Sequence, residues 1–488
     1  MALSSLAALA FGLMPTVAQA QIVPDASLPV NSIVAPDGNV FTIDGGTQAG
    51  GNLFHSFQDF SLPTGTEAFF NNALDVQNIF SRVTGGNISH IDGLIRANGG
   101  ASLFLLNPNG IVFGPNARLD IGGSFLGSTA DNVVFQDGSV FSATEANAPP
   151  LLTINVPVGL QMGTNPGAIQ VRGTSHELTP NSSVNLTQFD RSQSPRGLQV
   201  GTGNTVALIG DGVFFDGGIL TAEAGHIEVG SVVRGRVTLN YADGGWRFGY
   251  DNAQELGNLQ LVGRSALDAS SPDNIGELSL LNGGGSIGLQ GDRILLQNSL
   301  VLIQNQGTQP SGNIAIQASD TVEMRQETPG SPNSSGVVNL ATGTGNGGGI
   351  AVSARRLTLQ DRFAVFAMTS GTGAAGNIEI DTSEALELTR SRIQVRTFGA
   401  GNTGDIAVST GQLKIQDTAS ITAASFSAGL GGNVTIDAES IDVVGSRPET
   451  GSISFIGVVT LGDGDAGNLT IDTSRLSVRG GGRINAAT

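Results

Sequence analysis

Cysteine is absent from the 488 residues, so a disulfide scaffold and thiolate metal sites are both excluded. Lysine occurs once, at Lys414, and the formal net charge is −18. Phosphate recognition needs clustered Lys and Arg, so nucleic acid is not an expected partner. Tryptophan occurs once and tyrosine twice, at Trp246, Tyr241 and Tyr250. Such a cluster can stack on sugars, but Asp243, Gly244 and Gly245 sit in its middle, and a loop packed on the surface is expected instead. After the first twenty residues no apolar run reaches the ~18 residues of a membrane helix, so no membrane span is expected in the mature chain. No long stretch keeps a helical period either. Charged residues make up 13% and apolar residues 39%, a balance that disfavours disorder.

Glycine is what the chain has in quantity, at 71 residues, spaced between short apolar runs. A Gly-x-apolar-x-apolar unit begins at Gly312, Gly348, Gly376, Gly404, Gly432 and Gly467, with intervals of 36, 28, 28, 28 and 35 residues. Three equal intervals mark a repeat. Within the unit from Gly376, Ile378 with Ile380, Leu386 with Leu388, and Ile393 with Val395 alternate with polar residues. That period of two predicts three short strands with aliphatic residues facing inward. The expected fold is all-β, a right-handed parallel β-helix of about 28 residues per coil, with ~16 coils stacked at the strand spacing. Ile378 should lie between Ile350 and Ile406. Asn313, Asn377, Asn433 and Asn468 recur at one corner, where αL geometry or a stacked amide ladder is favourable.

Residues 1–20 read as a signal peptide, with an apolar core over 6–13 and cleavage expected after Ala18-Gln19-Ala20. No Lys or Arg precedes that core, so the true start is expected upstream of Met1. At the other end, the last coil stops at Thr488 before its third strand is complete, and the chain is expected to continue. Residues 21–165 carry alternating segments such as 40–43 and 103–106. Residues 166–255 read as an irregular β-helix whose stretch 174–195 is an exposed excursion, and 256–488 as the repetitive β-helix.

The corner Asn107-Pro108-Asn109-Gly110-Ile111 joins two apolar strands. Asn and Gly tolerate positive φ and Pro fixes its own, so these residues specify a turn by mechanism. Upstream stand Asn52-Leu53-Phe54-His55-Ser56-Phe57 and Arg82-Val83-Thr84-Gly85-Gly86, and downstream the run 122–130. In this order and spacing the chain resembles the amino-terminal secretion domain of filamentous haemagglutinins, the exported partner of bacterial two-partner secretion. The resemblance implies an amino-terminal secretion-domain cap, export through the periplasm to the cell surface or medium, and recognition by the periplasmic domains of an outer-membrane β-barrel transporter. It also places the two-partner secretion domain over residues 21–165 and assigns the run 107–111 to the secretion motif, with 52–57 in support. A cell-surface or polysaccharide receptor is the further partner class expected of an adhesin.

The search for chemistry finds little. His55, His90, His176 and His226 are far apart, and none has a spaced second ligand; no H-E-x-x-H, G-x-S-x-G or P-loop occurs. His55 reads as structural. Asp463 and Asp465 are the best acidic pair, but neighbouring coils carry no acids at that turn, so a solvated turn is expected. No catalytic residue, cofactor or metal is expected, and the protein is read as a non-enzymatic adhesin or surface-structural exoprotein. Two alternatives are a β-helical polysaccharide lyase or hydrolase, and the stalk of a contact-dependent toxin.

Overall fold

The computed structural model describes residues 21–145, 152–181, 187–242, 244–273, 282–327, 335–447 and 452–487. The expected signal peptide, Asp243 and Thr488 lie outside them. Strands make up the described regular structure, and no described helix is long and apolar enough to cross a membrane.

The repeats stack as a parallel β-helix. Ile350 pairs with Ile378 and Ile378 with Ile406, in parallel register. Each coil hydrogen-bonds to the next, so its backbone is satisfied outside itself. The expected three strands per coil need one correction. The first two form one strand, Ile378–Thr389, and Arg392–Thr397 is the third. The sequence 381–384 holds no Gly or Pro to stop the strand, so the chain stays extended and bends at a register shift between Thr382 and Ala385. Inward residues of both halves remain buried.

The recurring asparagines form a ladder of side chain to backbone. Asn313 Oδ1 accepts from Gly349 N at 2.8 Å, Asn377 Oδ1 from Asp405 N at 2.9 Å, and Asn433 Oδ1 from Asn468 N at 2.9 Å. None of the four is in the left-handed region, so the ladder is what this corner uses. On the third face, four parallel strands from Val40–Gly45 to Arg118–Asp120 are followed by ten from Leu198–Val200 to Arg483–Ala487. That is fourteen coils among the described residues, fewer than ~16 because two excursions take up chain without adding coils.

The first excursion is an antiparallel layer. Asn132–Phe135, Val140–Ser142 and Pro157–Met162 pair with one another and with the long strand His226–Ala242, which also carries Gly245–Gly249 and Ala253–Leu256. The aromatic cluster expected in a loop is therefore in a hairpin, with Tyr241 opposite Trp246. Alternating Val237, Leu239 and Tyr241, then Trp246 and Phe248, on either side of the short connection that ends at Gly244 supply the strand pattern that the isolated aromatics concealed.

This layer covers an outward row on the helix. Phe54, Phe80, Phe104, Leu126 and Ala207 are in register and face out, while Leu53, Ile79, Leu103, Phe125 and Val206 face the helix interior. Strands buried on both faces read as continuous apolar runs. This is why Leu103, Phe104, Leu105 and Leu106 are all buried instead of alternating.

The second excursion, expected to be exposed, folds back on the third face. Leu178 and Phe189 pack on Ile219, Leu300, Val338 and Phe366. Arg191 anchors it: the guanidinium is buried and donates to Asp268 Oδ2 at 2.8 Å, Asp273 Oδ1 at 2.6 Å and Ser271 O at 2.8 Å.

His176, in the same excursion, is buried with both ring nitrogens lacking a partner among the described residues. Burial, helped by nearby Arg264, lowers its pKa to about 4. The unfolded chain takes up this proton first as pH falls from its ordinary 6.5, so the stabilisation is complete above that pH and is lost toward 4. His176→Leu should remove ~3 kcal/mol of that pH dependence. Unfolding midpoints at pH 7.5 and 4.5 check this, and an unchanged slope between them contradicts it.

Candidate functional site

Ser102–Leu106 brings the chain to the corner, and Ile111–Phe113 leaves it. Gly110 N donates to Asn107 O at 3.1 Å and closes the turn. Gly110 has φ 125°, and a Cβ there would meet Ala168 O at 3.0 Å, so glycine is required. Asn107 Oδ1 accepts from Asn109 N at 3.0 Å, the local side-chain turn expected of asparagine.

The same side chain reaches beyond the turn. Asn107 Nδ2 donates to Asn87 O at 3.0 Å and Ser89 Oγ at 2.9 Å in the preceding coil, while its backbone N donates to Ser128 O at 2.9 Å in the following one. Pro108 O accepts from Gly167 N at 2.7 Å, where the antiparallel excursion returns to the helix. Ile111–Phe113 then pairs with residues 89–91 on one side and 169–171 on the other. One corner thus ties together the coil before it, the coil after it and the far end of a long insertion. Of its five residues Asn107, Gly110 and Ile111 are buried, Pro108 is half-buried and Asn109 is exposed.

The run 52–57 lies two coils away on the same face, linked through Asn78–Val83. Asn52 stands at the start of that face and Asn107 beyond its end, so the two asparagines do not meet. Asn52 Nδ2 donates to Thr153 O and Asn155 O, both at 2.9 Å, which ties the first coils to the antiparallel layer. Leu53 and Phe57 face inward, and Phe54 stacks on Phe80 with ring centres 5.2 Å apart. His55 is buried, with Nδ1 3.0 Å from Ser32 Oγ; burial lowers its pKa to about 4 against the opposing pull of Asp44. This imidazole is neutral at pH 7.

Ser56 belongs to a polar knot centred on Arg82, a residue of the run 82–86. Arg82 Nε donates to Ser56 Oγ at 2.8 Å and Nη2 to Ser27 Oγ at 2.8 Å; Nη1 donates to Ser142 O, and the guanidinium lies 4.6 Å from the Phe141 ring centre. Asp25 closes the knot. Its burial raises the pKa, but hydrogen bonds from Ser27, Thr84 and Ser56 outweigh that and hold the carboxyl below its usual range. The knot joins the capping strand Gln21–Pro24, the first coils and the outer layer. The signal for it was an arginine inside the apolar run 79–83.

Asp463 and Asp465 are exposed at a turn, and no group of three or more metal-ligating His, Cys, Asp or Glu occurs among the described residues.

A family model described as the TPS secretion domain, TPS being two-partner secretion, matches residues 20–288. The chain belongs to the TPS secretion domain family. The secretion domain of HMW1 from Haemophilus influenzae has the same fold, with a TM-score of 0.53 at 16% identity over 91% of this chain and 100% of its own. The filamentous hemagglutinin secretion domain aligns at 16% identity over 75% of this chain and 98% of its own, but its TM-score of 0.31 is too low to argue from. A heme/hemopexin-binding protein from Haemophilus influenzae is 34% identical over 119 residues, 22% of this chain and 12% of that relative's length.

Within this TPS secretion domain, Asn107→Ala removes the amide that donates to the buried Ser89 Oγ and to Asn87 O, and should cost roughly 1–3 kcal/mol. Asn109 Nδ2 donates to Gly85 O at 2.7 Å, but from an exposed position where water can replace the bond, so Asn109→Ala should cost only ~0.5 kcal/mol. Urea midpoints of the full chain test the contrast, and equal midpoints for the two variants contradict it.

Proposed function

We propose that this chain is a two-partner secretion exoprotein, exported through the periplasm and across the outer membrane by a cognate β-barrel transporter. The periplasmic domains of that transporter read its secretion domain, and outside the cell the rod serves as an adhesin or surface-structural protein. The supporting observation is the corner at 107–111. Three of its five residues are buried, so the corner acts by holding the shape of the early coils that the transporter reads.

The secretion unit expected to end at 165 is drawn here to 288, because the layer over the outward aromatic row uses residues 132–162 and 226–256 together. The repetitive rod follows. Each coil templates the next, so coils formed outside the cell bias the remaining chain outward. The matched family and fold are secretion domains, not enzymes. The heme/hemopexin-binding relative is matched over only 12% of its length, so its ligands do not define those of this chain.

Export tests this reading. Mature protein outside the cell is compared for wild type, Asn107→Ala and Asn109→Ala, each with and without the transporter. Release should require the transporter, fall several-fold in Asn107→Ala and change little in Asn109→Ala. Release indifferent to both the transporter and Asn107 refutes it.

A further inference from the structure

The outward row covered by the antiparallel layer ends at a polar step. In register after Ala207 come Glu228 and then Gly288, and beside them Thr205, His226 and Ser286 form the neighbouring row. His226 Nδ1 lies 2.8 Å from Ser286 Oγ, and His226 Nε2 lies 2.9 Å from Glu228 Oε2. Tyr250, from the edge of the layer, donates its OH to Glu228 Oε1 at 2.7 Å. Residues far apart in sequence therefore meet as hydroxyl, imidazole and carboxylate in line. That is the order of a nucleophile, its base and the group that orients the base.

The recess is built by absent side chains. A Cβ at Gly288 would stand 2.3 Å from Glu228 Oε2, and one at Gly230 would stand 2.3 Å from Tyr250 Oη. His226 and Glu228 are over nine-tenths buried, whereas Ser286 is half-buried and borders a cavity of about 310 Å³. Arg247, Gln290, Asn313 and Gln317 line the same cavity. Asn313 Oδ1 is taken by Gly349 N, which leaves its amide NH₂ as a donor.

We propose that Ser286, His226 and Glu228 form an acyl-transfer site that hydrolyses small esters of polar alcohols. With the Nε2 proton donated to Glu228, Nδ1 is the acceptor facing Ser286. Ser286 Oγ attacks the ester carbonyl carbon, and its proton passes to His226 Nδ1. Collapse breaks the ester C–O bond, and the alcohol leaves with the proton from Nδ1. Water, deprotonated by the same nitrogen, then attacks the acyl carbon, releases the carboxylic acid and restores the serine. Backbone N–H groups of Ser286 and Ile287 are committed to Gly225 O and Asn313 O, so the oxyanion is met by the side chains of Arg247 and Asn313. The cavity's polar lining selects a polar alcohol, and its size selects a short acyl group.

The test uses the full chain and a fluorophosphonate, whose P–F bond is replaced by a P–Oγ bond at an activated serine. Peptide mass spectrometry should place the label on Ser286, and Ser286→Ala should lose it. His226→Gln should slow labelling by ~100-fold or more, the scale of a general base. Wild type should also release 4-nitrophenol from 4-nitrophenyl acetate faster than Ser286→Ala. Thermal melts of each variant report folding separately. Wild-type protein without label at Ser286, without ester release above Ser286→Ala, or with equal labelling rate in a folded His226→Gln, overturns the assignment. Because the wild-type measurement decides first, a variant that fails to fold does not rescue it.

Discussion

The hydrogen-bond ladder between coils is what the rest of the molecule depends on. A strand of this helix leaves every backbone group to be satisfied by the coil above and the coil below, so no coil stands alone. Inward aliphatic residues then stack on their counterparts one coil away, as Ile350, Ile378 and Ile406 do. Corners must keep the register that the ladder demands. Asparagine does this twice by different means: in the repeats through side chains that cap the next coil's backbone, and at Asn107 through one side chain serving both its own turn and the coil before.

The amino-terminal coils add a second constraint. Their outward residues are as apolar as their inward ones, so a second layer has to cover them. That layer is supplied by one insertion and by the hairpin around Trp246, and the Arg82 knot and the Asn52 amide fasten it to the first coils. Where the outward row turns polar, at Glu228, the cover ends and a recess opens. The change from covered to open face follows from which residues occupy one row along the rod.

Much of the repetitive part was legible because it depends on local period. Aliphatic alternation at 28-residue spacing fixes inward faces and register without tertiary information. The fused first and second strands were not legible, because a bend at a register shift leaves no glycine or proline behind. The antiparallel layer was hidden for a different reason. A strand buried on both faces, such as 102–106, looks like any apolar run until its cover is known. Arg82 stood out as an arginine inside an apolar run, but its partner Ser142 lies 60 residues away, as Asp268 lies 77 from Arg191, and nothing local identifies either partner. The corner at 107–111 was readable as a turn from its residue types, whereas its reach into the neighbouring coils came from the fold. The link between His226 and Ser286, 60 residues apart, likewise exists only once the coils are stacked.

Amide hydrogen exchange across the full chain most directly tests the claim that burial on both faces makes the amino-terminal coils the rigid seat of the fold. The account predicts the slowest exchange in Ser102–Leu106, Phe125–Ser128 and Thr205–Gly210, beneath the antiparallel layer. Exchange that is slowest instead in Ile378–Thr389 and Ile406–Gln416, with the covered strands opening early, would contradict it.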